Sequence, residues 1–448
     1  MIDKSSVKIV IYSLVLSSTI MYTAASNAFV YMWKDAAGVT NYGSTPPYGV
    51  DANGVDAKLK FRIVKSVTTG STGSAPTTGN APTLPISNPT TNNTESKTSG
   101  STVNAAPTTN KPAATNASSL PPAPDHYYMP KIDINKIPVG SSGVGLLNLT
   151  QTNQIAPVGD GQGEFRVACD YGHMKFDDPI VFPGQQGASH LHTFFGNASA
   201  DYRSTADSIL NSGNGTCHGG IANRSGYWVP TMIDTATNTP IAPIQIVVYY
   251  KSGGLVPKQY ITAPPKGLRM ITGDMRNTKP WNNPSLIPPV FYSCITSTTP
   301  NPNPSTWPAK PCLDIKTADG KTIPGWINMD VNMPQCWDGV NLDSADHKSH
   351  MAYPSAANKT ANYCPATHPI AIPKIDMQIR YQPPPNGDVS KWRLSSDMYP
   401  DTSPGGYSGH GDWFNGWKPE IIDLIVKKCL NAGVNCGTDF LPDGRTMN

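Results

Sequence analysis

The chain has 448 residues, of which 44 are proline and 39 glycine, with only 15% charged side chains and a formal net charge of +3. So small and scattered a charge excludes a nucleic-acid surface. No stretch beyond the N-terminus reaches the ~18 to 20 apolar residues that cross a bilayer, so no transmembrane segment is expected after the leader.

Residues 1–28 have the three parts of a secretory signal: Lys4 and Lys8, an apolar run over 9–21, and small residues ending at Ser26-Asn27-Ala28, with cleavage expected before Phe29. The alternative, an uncleaved anchor, fits less well because the apolar run is short and broken by serines. Either way the chain is expected in an oxidising place: secreted, periplasmic or at the cell surface. In residues 29–65, β-rich stretches over 29–34 and 39–42 flank Asp35-Ala36-Ala37-Gly38, which predicts a hairpin with Gly38 at a positive-φ turn position. Trp33, Lys34, Asp35, Gly38, Val39, Tyr42 and the Pro46-Pro47 pair resemble a short domain-of-unknown-function family at the N-termini of bacterial envelope proteins. A hairpin so small buries little, so it needs the trailing stretch 59–65 or a partner surface, and an attachment module is the expectation.

Residues 66–125 collapse into Thr, Ser, Pro, Asn, Gly and Ala, with Glu95, Lys97 and Lys111 nearly the only charges before Asp125. Nothing here can recover its ordering entropy by packing. A flexible tether is predicted, reaching roughly 40 Å if it behaves as a Gly/Ser-like coil, and its Ser, Thr and Pro also suit a glycosylation stalk.

Residues 126–448 form the main domain. Its strand signals are short and separated by Pro, Gly and Asn, which predicts a mainly β fold: a large antiparallel, sandwich-like domain with long disulfide-stapled loops. Ile375, Met377, Ile379 and Tyr381 alternate with polar residues, as do Phe165, Val167, Cys169 and Tyr171, the period of a strand with one buried face. The apolar run over 243–251 suits a central strand covered on both faces. One C-terminal helix is predicted, opened by Pro419 and Glu420, given an apolar face by Ile421, Ile422, Leu424, Ile425 and Cys429, and ended by Gly433.

All eight cysteines, Cys169, Cys217, Cys294, Cys312, Cys336, Cys364, Cys429 and Cys436, lie in this domain, and disulfides are their expected state in an exported chain. Pairing of sequence neighbours would close loops of modest size, but sequence does not choose among the many connectivities. A cysteine zinc or redox site lacks the CxxC pair it usually needs.

Histidine is sparse, nine in all, but clustered. In 184–197, His190 and His192 project from one face if the segment is a strand, so two imidazoles can converge on one ion. The spacing matches the opening of the cupin metal motif, yet Thr193, Phe194, Phe195, Gly196 and Asn197 stand where that motif wants glutamate. In 335–354, Asp346, His347 and His350 lie beside Trp337 and Asp338, and a spacing of three puts both histidines on one face if the segment is helical. In 406–417, His410 and Asp412 flank a glycine ahead of Trp413, Phe414 and Trp417. His218 and His368 each sit near a cysteine, whereas His126 and His173 have no comparable neighbourhood. A histidine in such a loop is commonly a hydrogen-bonded structural residue, and the tryptophans can equally be core.

The ordered set DPIVFPG, SHLHTFFGN, TCHGG, GYWVP, PKGLRMITGD, CWDGVNLDSADHKSHMAYP, CPATHPIAIPKIDMQIRY and GHGDWFNGW, over about 155–420, resembles a secreted family of unknown function shared by fungi and bacteria. Trp413 stands where Phe is more usual. The resemblance implies an extracellular protein and assigns no activity. Two functions compete. One is an enzyme on cell-surface or extracellular polysaccharide, with His190, His192, His347 and His350 binding a divalent metal ion and His410, Asp412 and Asp338 in acid, base or orienting roles. The other is a non-catalytic glycan-binding or adhesion protein with Trp337, Trp413 and Trp417 as its substrate-binding platform.

Overall fold

The computed structural model describes residues 31–34, 40–43, 129–152, 161–281, 288–297, 306–307 and 311–448. The expected leader over 1–28, the expected turn over 35–38, the stretch 59–65, the 66–125 tract and His126 lie outside the described residues. Near the N-terminus β1 (Tyr31–Lys34) and β2 (Thr40–Gly43) pair antiparallel, with Trp33 opposite Asn41.

In the main domain the strands that place the site are β3 (Glu164–Cys169), β4 (Tyr171–Lys175), β5 (His192–Gly196), β6 (Gly226–Pro230), β7 (Gln245–Lys251), β8 (Arg269–Gly273), β9 (Val290–Cys294), β10 (Ile327–Asn332), β11 (Lys374–Tyr381), β12 (His410–Phe414) and β13 (Asn435–Thr438). They form two sheets. A six-stranded sheet runs β9-β10-β11-β7-β3-β13, and a five-stranded sheet runs β8-β12-β6-β5-β4. Every neighbouring pair is antiparallel except β13, which lies parallel to β3. The mainly β, antiparallel, sandwich-like architecture is thus present, and among the described residues no helix is long and apolar enough to cross a membrane.

The period-two strands bury the face their alternation marks, because a pleated strand turns successive side chains to opposite sides. Phe165 and Val167 of β3, Ile375, Met377 and Ile379 of β11, and Met329 and Val331 of β10 enter one core with Phe195, Tyr227, Val229, Met270 and Trp413 of the five-stranded sheet. β7, buried from Gln245 to Tyr250, is an interior strand between β11 and β3. The sheets meet closely at Gly411, where an added Cβ would lie 2.7 Å from Met377 Cε and Val331 Cγ1. That contact explains a glycine in the middle of β12.

The opposite, outer face of the five-stranded sheet carries a second, smaller cluster: Phe194, Trp228 and Phe414 beneath Ile180, Ala200 and Ile209. Those covering residues come from the stretches on either side of β5, 176–191 and 197–213, the second of which includes the short helix α1 (Ala206–Asn211), capped by a reciprocal Thr205–Ser208 pair. The C-terminal helix α2 (Pro419–Ile425) has Pro at its first turn and continues as a π turn over Val426–Leu430, with Gly433 at φ 71° beyond its end.

The cysteines pair in sequence order: Cys169–Cys217, Cys294–Cys312, Cys336–Cys364 and Cys429–Cys436. Cys169–Cys217 closes the longest separation, 48 residues. Replacing both by alanine is expected to lower stability by about 4 kcal/mol, from chain entropy restored to the unfolded state, read as a shift in denaturant midpoint.

Candidate metal centre

β5 and β12 flank β6 in the five-stranded sheet. His192 pairs with Pro230 of β6, and Asp412 pairs with Trp228 of the same strand, two residues back. Carrying that register on by two residues sets His410 on the other side of Pro230 from His192. Both imidazoles therefore rise from the outer face and meet above Pro230. His190, in the bend just before β5, reaches the same point. The ligand-capable nitrogens of His190, His192 and His410 all lie within 4.8 Å of one another. Nε2 of His410 is 3.2 Å from Nε2 of His190 and 3.3 Å from Nε2 of His192.

The second nitrogen of two rings fixes their tautomers. Nδ1 of His192 lies 2.9 Å from the Asp177 carbonyl oxygen, and Nδ1 of His410 lies 2.8 Å from that of Ser408. A carbonyl oxygen only accepts, so each Nδ1 carries the proton and each Nε2 presents a lone pair. The proton of a third ring, His190, can satisfy one of these lone pairs and leaves the His192–His410 contact with no proton between its nitrogens. Protonating a ring does not relieve this readily. Burial, with His192 and His410 beside it, holds His190 well below the usual imidazole range. Burial likewise lowers His192 to about 4, and burial with neighbouring His192 lowers His410 to about 3. Three neutral imidazoles aimed at one point, two of them oriented by carbonyls, are a group that could hold a divalent ion. Tetrahedral zinc with Zn–N near 2.0–2.1 Å separates its ligand nitrogens by about 3.3 Å.

Asp412 faces the same side of β12 as His410. It is 1% exposed, and neither carboxylate oxygen has a hydrogen-bond partner. Burial, with Asp178 nearby, pushes it well above the usual carboxyl range. Asp178, 4% exposed, accepts from the Ile180 and Val181 backbone N–H groups through Oδ1, and burial raises its carboxyl above the usual range. The Lys348 ammonium, held 2.6 Å from the Gly273 carbonyl oxygen, bears on both His410 and Asp412.

Other candidates go elsewhere. The 338–350 segment is a run of turns, so the helical face that would unite His347 and His350 does not form. His347 sits at φ 58° and bonds Asp343 at 2.9 Å. Both nitrogens of His350 are engaged, Nδ1 with Ser344 Oγ at 2.9 Å and Nε2 with the Arg269 carbonyl oxygen at 2.7 Å. Asp338 accepts from the Val340 and Asn341 backbone N–H groups and from Asn341 Nδ2, which makes it a turn brace away from the three histidines. Trp413 and Trp417 are 0% and 1% exposed: Trp413 points into the inter-sheet core, and Trp417 donates its indole N–H to Tyr250 Oη at 2.8 Å. Neither can stack on a glycan. Trp337 is half-buried and donates to the Asn341 carbonyl oxygen. His173 stacks on Phe194, and His368 contacts the Ser349 carbonyl oxygen. Asp178 stood inside the DPIVFPG motif without a role. Asp177 and Ser408 act through backbone carbonyls, for which residue identity carries no signal.

His218 forms a separate ion pair, Nδ1 to Asp439 Oδ2 at 2.6 Å. Burial works against its charge, but the Asp439 carboxylate, its hydrogen bond and Asp170 outweigh burial and raise His218 to about 9. A raised pKa contributes stability fully below the unfolded value near 6.5 and loses it as pH rises through 9. Chemical denaturation should therefore show stability falling between pH 6.5 and 9 by an amount on the order of 3 kcal/mol, and His218→Phe should flatten that slope.

A family model described as a domain of unknown function, DUF1996, matches residues 178–417, and another, described as the domain of unknown function DUF4124, matches residues 18–58. No curated protein and no solved structure matches the chain.

Proposed function

Because the chain belongs to the DUF1996 family of unknown function, through a match that takes in His190, His192 and His410, we propose that it is a metal-dependent enzyme with these histidines as its protein ligands. The observation that carries the reading is the pair of carbonyl-fixed Nε2 lone pairs of His192 and His410 facing each other at 3.3 Å. Among the described residues the group holds three ligands and no fourth. Structural zinc sites are closed by four protein ligands, whereas catalytic ones keep a position for water or substrate. Three neutral ligands leave the ion's charge undiminished, and when bound it supplies Lewis acidity to a water or a substrate oxygen.

The protein's own residues do the rest. Asp177 and Ser408 hold the imidazoles in register. The shell of Phe194, Trp228 and Ile180 excludes water from the inner side. Asp412, with no partner for either oxygen, is placed to hold a proton close to the centre. The substrate class is an extracellular polysaccharide, supported by the leader, the N-terminal module and the tether-like composition of 66–125, which would present residues 126–448 outside the cytoplasm.

The test is release of reducing ends from a panel of plant and microbial polysaccharides. Cleavage is expected to stop on chelation, return with added Zn²⁺ and be absent in His192→Ala. Cleavage indifferent to chelation would reject the metal mechanism, and no cleavage by any metal-loaded form would reject the enzyme.

A further inference from the structure

Next to the three histidines, on the same outer face, lies a cavity of about 430 Å³ lined by Lys175, Asp177, Gln186, Asp201, Tyr202 and Arg203 among others. None of the histidines lines it, but two of its lining residues adjoin His192. Lys175 is the cross-strand partner of His192, and Asp177 supplies the carbonyl that orients His192. The Asp177 side chain turns the other way and accepts from Gly187 N–H at 3.1 Å, which fixes the loop that leads to His190.

Charge in this cavity is sorted by depth. Asp177 and Asp201 are 5% and 4% exposed. The Asp201 carboxylate accepts from Arg203 Nη2 at 2.6 Å and lies 3.6 Å from Lys175 Nζ, while the side chains of Lys175 and Arg203 are 40% and 71% exposed. One buried carboxylate therefore pins two cations at the mouth, and both keep N–H donors free for a ligand, since a guanidinium has five and an ammonium three. Tyr202 is half-buried beside them and Gln186 is exposed. Two prepositioned cations, an aromatic ring and an amide suit a sugar ring that carries a carboxylate.

We propose that this cavity is the specificity subsite of the metal centre and that it takes a uronic acid unit, making the substrate an acidic polysaccharide. The inference rests on the metal-enzyme reading, but its test reads binding rather than turnover. Isothermal titration of the metal-loaded full chain with galacturonate and mannuronate tetramers, a sulfated tetrasaccharide and neutral maltotetraose separates the possibilities. At least one uronate tetramer is expected to bind at least about 10-fold tighter than maltotetraose, with affinity falling as salt rises. Arg203→Ala and Lys175→Ala should each lower that affinity about 10-fold while metal content is unchanged. Equal affinity for acidic and neutral sugars, preference for the sulfated sugar alone, no binding of either uronate, or wild-type affinity in both variants would overturn the proposal. His190→Ala separates this from failure of the metal reading, since it removes metal and leaves Lys175 and Arg203 in place.

Discussion

Replacing His192 or His410 by alanine is expected to abolish stoichiometric metal binding, with affinity for Zn²⁺ falling by more than about 100-fold in a chelator competition. Loss of outer-shell partners alone costs 10- to 100-fold, and a ligand costs more. The stability readout should agree. Metal that binds only the folded state adds roughly 4 kcal/mol at a thousandfold excess over its dissociation constant. The wild-type midpoint should therefore rise with added Zn²⁺, and those of His192→Ala and His410→Ala should not. His347→Ala should keep both the metal and the Zn²⁺-dependent rise, because His347 bonds Asp343 and is outside the convergent set.

The second large effect concerns Trp413. A fully buried indole between the two sheets loses its transfer energy and leaves a cavity when truncated, so Trp413→Ala should destabilise the domain by about 3 to 5 kcal/mol. Half-buried Trp337, packed against the margin of that core, should cost less on the same change. A glycan platform would show the reverse pattern, with Trp413→Ala losing sugar binding at unchanged stability.

Trp413 also shows where sequence patterns stop being informative. Its neighbours are glycine, aspartate and asparagine, which mark an exposed loop by composition. In the fold residues 410–414 form β12, an interior strand of the five-stranded sheet: Gly411 is needed because Met377 and Val331 press against it, and alternation sends Trp413 inward with it while His410 and Asp412 go outward. Glycine here reports close sheet packing rather than a turn. By contrast β11 and β3 were legible in advance, since a clean apolar alternation admits one buried face. His190 meets His192 through the bend just before β5 rather than through strand alternation, and their meeting with His410 depends on β6 lying between β5 and β12, a long-range pairing with no local signature. The spacing of His347 and His350 does not become a helix because Asp338 and Asp346 accept hydrogen bonds from nearby backbone N–H groups and stabilise turns instead.

X-ray absorption at the metal edge of the purified, metal-loaded chain addresses the three-histidine centre most directly. The expected spectrum has three imidazole nitrogens near 2.0–2.1 Å and one further light-atom ligand, with the imidazole signature lost in His410→Ala. A chain that binds no stoichiometric metal, or a spectrum made of oxygen ligands without imidazole, would contradict it.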